Sequence, residues 1–280
     1  MTKIIKRKGI VLFLFGLCLK SIFATDYYIA NNGNDNASGT SPETCWKTIS
    51  KLRKVTLKPG DKVFFRAGDR FEGTLIISSS GKAGKPVIFS SYGKGDKPVI
   101  TGASVLEQTQ AGSSTFETYK SDYNLKHLFI NGRLQTIARY PNTGYLVMDG
   151  GGKDYLLDAR LDLSPEKVVG ATARMRIYNW QYEHREIISV KMDTLKLDSI
   201  LYYNNKNQYK CKPGWGYYLD NKAVFLDTAG EWHYNANTSI ASIIPEKPLS
   251  HDDLVEGSYI KNGMVISSNT SYITVKNLHF

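Results

Sequence analysis

The chain has 280 residues, 41% hydrophobic and 12% aromatic, enough for one large domain or two ordinary ones around a real core. Nine prolines and 22% charged residues exclude global disorder. The formal net charge is +10, but no basic stripe or nucleic-acid motif accompanies it, which argues against a nucleic-acid binder.

Residues 1–24 stand apart. Lys3, Lys6, Arg7 and Lys8 form a basic start, and "IVLFLFGLCL" is an apolar run too short to span a bilayer comfortably. "SIFA" then places Ala24 before a polar start at Thr25. This pattern predicts a secretory signal peptide cleaved near Ala24, and so a secreted, periplasmic or cell-surface protein without stable membrane insertion. Cys18 lacks the small preceding residue of a lipidated cysteine, since "FGL" precedes it. Removing residues 1–24 takes five basic and no acidic residues from +10, leaving +5. That charge would suit an acidic glycan, or simply reflect solvated lysines. Cys45 and Cys211 remain, and an oxidising exterior would permit a bridge between them.

In chain order, a short strand is predicted over Tyr27 to Ala30, followed by a polar loop over 31–41. Its Asn/Asp run at 31–36 invites a calcium site, but lacks the glycine and glutamate positions of an EF-hand loop; Asn and Asp are also good turn formers. Thr40 or Ser41 as N-cap, Pro42 and Glu43 then predict a short helix carrying Trp46, Ile49, Leu52 and Val55. "KPGD" turns the chain into the strand "KVFFR".

A period follows. Val63, Leu75, Val87 and Val99 are twelve apart, as are Phe65, Ile77, Phe89 and Thr101. Each i, i+2 pair points to one side of a strand, and Gly-rich segments intervene. Short strands at fixed spacing predict stacking, and two strands per coil would give a rung of about 24 residues.

"YYIANNGNDNASGTSPETCWKTIS", "LKPGDKVFFRAG" and "GKAGKPVIFSSYGKGDKPVITG" resemble the N-terminal signature of secreted bacterial right-handed parallel β-helix proteins, which include polysaccharide lyases and glycoside hydrolases. The resemblance spans residues 26–103 and implies that the first helix caps the solenoid, with Trp46, Ile49 and Leu52 over the first rung. It is more specific for fold than for reaction.

Residues 104–257 break the period. "HLFINGRLQTIARYPNTGY", "RMRIYNWQYEHREIISV", "GWGYYLDNKAVFLDTAGEWHY" and "SIASIIPE" read as alternating strands, with one short turn of helix at "SPEKVVG". They predict a β-rich, sandwich-like inserted domain. "NG…ARYPN" and "LD…GEW" resemble the subset of β-helix glycosidase-like proteins whose solenoid is interrupted there. Over 258–280, "GMVISS" and "SYITVKNLHF" restore the solenoid pattern and resemble the opening rung of the main β-helix. The expected fold is thus all-β: a right-handed parallel β-helix start with a short N-terminal capping helix over 25–103, the inserted region, and a resumed helix. Since a bare solenoid end exposes apolar core and strand edges, the chain reads as the N-terminal part of a longer protein.

Asp227 and Glu231 in "LDTAGEWHY" are candidate catalytic carboxylates, the pair a glycosidase needs, but a β-turn with Asp227 bonding its own backbone and Trp232 packing below is the favoured reading. Arg139 would hold a carboxylate or sulfate by its planar fork, or pin the Tyr140–Pro141 turn. His184 and Arg185, beside Glu183 and Glu186, fit a cross-strand ion pair. Trp180, Trp215 and Trp232 would stack on sugars or fill a β-core. The histidines (127, 184, 233, 251, 279) lack metal-ligand spacing, and no cofactor motif is present. The partner implied is a polysaccharide or oligosaccharide, acidic if the charge is functional. By resemblance the parent is a polysaccharide-degrading enzyme, a glycoside hydrolase before a lyase, with its catalytic rungs downstream and no activity in this chain alone. The other class is a non-catalytic glycan-binding or cell-surface module.

Overall fold

The computed structural model describes residues 24–109, 116–199 and 208–280. The segment up to residue 23, with Cys18 and most of the expected signal peptide, lies outside the described residues. The fold is all-β. Among the described residues helix is confined to Pro42–Thr44, Ile49–Lys54, Pro165–Val168 and Ala223–Phe225. The chain divides into two compact units.

Among the described residues, the first unit holds residues 24–71, Ile76–Val99 and Val265–His279. Its sheet is parallel throughout, in the order Asp26–Ile29, Lys62–Arg66, Val87–Tyr92, Ile273–Val275. Val63 faces Phe89, 26 positions on, so the chain leaves the sheet and returns alongside itself in the same direction. The alternation of "KVFFR" is realised: Val63 and Phe65 are buried, and their neighbours are half-buried. Ile29, Ile77, Val87 and Phe89 are buried too, and Phe65 meets Phe71 edge-on at 5.3 Å. Ile273 and Val275, beside Val87 and Phe89, remain half-buried at the sheet edge.

Two expectations are corrected here. The predicted helix is a pair of 3-10 turns. Ser41 caps the first, accepting from the Thr44 N–H, and Ile49 and Leu52 are buried by the second. Trp46 lies between them, in extended backbone that bridges Ile29, with its indole N–H donating to the Ala37 carbonyl at 3.0 Å. The reason is in the spacing: residues exactly three apart match the 3-10 period, not 3.6. The twelve-residue period also slips at its fourth strand, where Ile100 is buried and Val99 and Thr101 are not. A slip of one residue turns every side chain to the other face.

The loop over 31–48 folds around Trp46. A Cβ on Gly33 would lie 2.3 Å from the Trp46 carbonyl oxygen, so only glycine fits. Asp35 accepts from the N–H groups of Lys47 and Thr48 and from the Thr48 hydroxyl.

The second unit comprises Glu72–Leu75, Ile100–Met264 and Phe280. One antiparallel sheet runs Arg133–Leu134, His127–Ile130, Val255–Ser258, Ala103–Val105. A mixed five-stranded sheet runs Thr136–Ile137, Glu231–Asn235, Ile240–Ile244, Glu117–Lys120, Glu107–Gln108. The eight-stranded sheet runs Arg139–Tyr140, Gly216–Asp220, Thr172–Arg176, Tyr182–Lys191, Thr194–Leu197, Tyr155–Leu157, Gly150–Gly151, with Leu146–Val147 also on Gly216–Asp220. Two apolar clusters fill this unit. One gathers Met148, Leu156, Met175, Tyr217 and Leu219; the other gathers Tyr119, Leu128, Trp232, Ile243 and Val255.

Cys45 and Cys211 are both free and buried. Cys211 sits beside Met175, and burial pushes its thiol up to about 12. Alkylation of the native, unreduced chain from Thr25 onward is expected to leave Cys211 unmodified, because the reactive thiolate is suppressed. Alkylation after denaturation is expected to label both cysteines in the intact mass. A denatured chain that takes up no label would reveal a bridge.

Candidate functional site

The eight-stranded sheet carries a polar face, and strand alternation creates it. In "TARMR", Ala173 and Met175 are buried in the core, as are Tyr217 and Leu219 in "GYYLD". The residues between them point the other way. Register then sets them side by side: Arg174 opposite Tyr218 and His184, and Asp220 opposite Thr172 and Arg139. Side chains from four strands thus share one surface.

Asp220 is its centre. It is 0% exposed. Its Oδ2 accepts a hydrogen bond from Arg174 Nε. Its Oδ1 is buried and has no hydrogen-bond donor. Burial raises its carboxyl above the usual range, outweighing the attraction of Arg174, Arg139 and His184. The guanidinium of Arg139 lies 3.9 Å from the centre of the Tyr218 ring and 5.9 Å from that of Tyr145, a cation–π stack.

Two adjoining cavities open on this face. One, of about 290 Å³, is lined by Tyr145, Arg174, Tyr182, Glu183, His184, Gly216 and Tyr218. The other, of about 320 Å³, includes Lys126, His127, Gln135, Arg174, Tyr218, Asp220 and Trp232. Arg174 and Tyr218 are common to both. A larger hollow of about 450 Å³ lies at Asn131, Arg133 and Glu246, where Arg133 donates two hydrogen bonds to Glu246 and so spends its fork internally.

The residues singled out from sequence take separate places. Arg139 joins the polar face, but its Nε donates to the Pro141 carbonyl and an Nη to the Gly144 carbonyl, so it also pins the turn. Glu231 is buried, and its carboxylate accepts from the N–H groups of Arg139 at 3.1 Å and Asp227 at 3.4 Å. Asp227 accepts from the Asn142 amide and the Thr228 hydroxyl. Trp232 is 2% exposed in a core, with one edge on the second cavity. Trp215 is half-buried, with Lys212 Nζ 4.7 Å and Arg176 Cζ 5.4 Å from its ring centre. Trp180 is 68% exposed and stands edge-on to Tyr178. His184 lies on the polar face. Arg185 pairs with Glu183 along its own strand at 2.9 Å, correcting the cross-strand expectation: residues two apart share a face.

Sequence reasoning missed Arg174, Tyr218, Asp220, Tyr145 and Tyr182. The signal available was the alternation in "TARMR" and "GYYLD", which sets Arg174 and Asp220 opposite the apolar positions of their strands. Among the described residues no three or more His, Cys, Asp or Glu side chains gather to hold a metal ion. Nor is any helix there long and apolar enough to cross a membrane.

No protein-family model matches the sequence, and no curated protein does. Among solved structures, a protein described as a glycoside hydrolase superposes with a TM-score of 0.69, covering 91% of this chain and 50% of its own, at 16% identity. The two share a fold, and this chain spans half the length of that protein. A GH136 lacto-N-biosidase from Eubacterium ramulus is 27% identical over 30% of this chain and 14% of its own, with a TM-score of 0.27. A complex of XylC with xylose covers 90% of this chain and 34% of its own, at 12% identity and a TM-score of 0.49. The last two likenesses are too slight to bear on the fold.

Proposed function

We propose that this chain belongs to a secreted, carbohydrate-active protein of the right-handed parallel β-helix type, and that it supplies an oligosaccharide-binding surface. The observation that carries this is the polar face of the eight-stranded sheet, where Tyr145, Tyr182, Tyr218, Arg174, Asp220 and His184 line two cavities with shared lining residues. Sugar rings present C–H faces to aromatic rings and hydroxyls to charged side chains, so such a surface matches their chemistry. The fold shared with a glycoside hydrolase supports it. The all-parallel first sheet, with its 26-residue return from Val63 to Phe89, supports an opening solenoid coil.

On this reading the parent protein degrades a polysaccharide, as a glycoside hydrolase before a lyase. Its catalytic pair projects from further solenoid rungs. The chain alone is then inactive, and no cofactor is called for. A non-catalytic glycan-binding or cell-surface module is the second reading. It is favoured by the engagement of Asp227 and Glu231 with donors of their own unit.

The test is a glycan array with the purified chain, neutral and acidic oligosaccharides side by side, followed by calorimetry. Tyr182 is 63% exposed, so Tyr182→Ala leaves folding intact and is expected to weaken binding about two- to ten-fold, the worth of an aromatic contact. Binding untouched by that change moves the surface elsewhere. Release of reducing ends by the chain alone would overturn the assignment of catalysis to other rungs.

A further inference from the structure

We infer that Asp220 and Arg174 form a subsite for a neutral sugar residue bearing two adjacent hydroxyls, one donating to Asp220 Oδ1 and the other accepting from a terminal nitrogen of Arg174. The inference rests on the glycan-binding reading and names the chemical class that the face selects.

Three observations carry it. Asp220 is fully buried, yet Oδ1 has no donor. A carboxylate oxygen stripped of water and left unpaired is costly, and native proteins keep few of them. Arg174 spends only Nε on Asp220, and the described residues take no hydrogen bond from its two terminal nitrogens. Both residues border the same cavity of about 320 Å³, with Oδ1 closed to water, so a hydroxyl reaches it only where the wall gives way. A buried acceptor without a donor and donors without an acceptor thus stand beside one cavity. The missing partner must both give and take a hydrogen bond, and a pair of neighbouring hydroxyls does so.

Charge narrows the class further. Arg139, Arg174, Lys126 and His127 surround the position, so a cationic amine is repelled when these are charged. A uronate carboxylate would satisfy Arg174 but leave Oδ1 bare and set two carboxylates side by side. A neutral hydroxyl pair meets both demands. Arg139, stacked on Tyr218, holds that ring as one wall of the cavity.

The experiment is calorimetric titration of the whole chain with a neutral oligosaccharide from the array and with deoxy analogues lacking either hydroxyl of a vicinal pair. Each deletion is expected to weaken binding by roughly ten- to a hundred-fold, as for a hydrogen bond to a charged group. Asp220→Asn is expected to weaken binding similarly while its melting temperature holds or rises, since a buried charge is removed. A merely structural Asp220 would do the reverse, lowering the melting temperature and leaving the affinity of the folded protein unchanged. The deoxy series needs no variant and decides the matter if Asp220→Asn fails to fold. Binding that falls in Tyr182→Ala but is indifferent to Asp220→Asn and to both deletions would overturn the subsite and leave the glycan-binding reading standing. Tighter binding of uronates that survives Asp220→Asn would also overturn it. A wild-type chain that binds no glycan overturns both.

Discussion

Trp232→Ala is expected to lower the stability of the second unit by about 3–5 kcal/mol, the usual cost of truncating a fully buried large aromatic. Trp232 sits in a core with Tyr119, Leu128, Ile243 and Val255. Its strand is clamped on both sides, Trp232 facing Ile243 in an antiparallel pair and Ile137 in a parallel one. A strand fixed on two sides cannot collapse into the void, so the cavity term adds to the lost transfer energy. The measurement is urea unfolding followed by near-ultraviolet circular dichroism. Because the chain has two compact units, the transition is fitted for each unit and not as one two-state process. Trp180→Ala, on an exposed side chain, is expected to stay within about 0.5 kcal/mol of the wild type. Equal effects from the two changes would contradict the packing described. The contrast also governs any binding assay: lost binding in Trp232→Ala reports unfolding, so exposed Tyr182 is the better probe of the surface.

Glu231→Ala is expected to cost about 2–4 kcal/mol, because it strands the backbone N–H groups of Arg139 and Asp227 that its carboxylate accepts. Glu231→Gln keeps an acceptor oxygen at the same place and is expected to cost less than half as much. Both variants also remove a pH dependence that the wild type has at this position. Burial, the largest influence, raises the Glu231 carboxyl above its ordinary 4.5 despite the hydrogen bonds it accepts. A carboxyl raised in the folded state binds protons more tightly folded than unfolded. Its stabilising contribution is therefore fully present below 4.5 and is lost as pH rises through the higher folded value. The wild type should gain on Glu231→Gln as the pH falls through that window. Thermal melts between neutral pH and 4 check the sign, and a gap that narrows on acidification would refute it. Large loss in Glu231→Ala with near-normal folding of Glu231→Gln marks Glu231 as the residue that ties the Asp227 turn to the Arg139 strand.

Much of the fold was legible because it rests on local pattern. "KVFFR" alternates, and one face is buried as alternation requires. Val63, Val87 and Phe89 sit inward as their spacing predicts. The third strand in that series is followed by a slip, and spacing alone could not show it, because the Gly-rich run over 93–98 has no side-chain period to keep count. The 3-10 turns were legible too, had the three-residue spacing of Trp46, Ile49 and Leu52 been taken at face value.

The candidate site was barely legible. Arg139 and His184 were singled out, and both lie on the polar face; Asp220, Arg174 and Tyr218 were passed over. Asp220 is one carboxylate among many in the sequence. It becomes distinctive only when Thr172–Arg176 and Arg139–Tyr140 pair on either side of its strand and shut out water. Glu231 and Trp232, weighed as a catalytic acid and a sugar platform against a turn and a core filling, are buried.

The amino-acid sequence by itself determined the all-β character, the inward residues of the first strands and the turns that glycine must occupy, because these depend on neighbours a few positions away. Only the tertiary structure decided which polar residues meet. Arg174 and Asp220 are 46 positions apart, and their contact depends on the register of two antiparallel strands. Register is set by the whole pattern of buried faces, and a shift of one residue would have turned Asp220 into the core and Leu219 to the solvent.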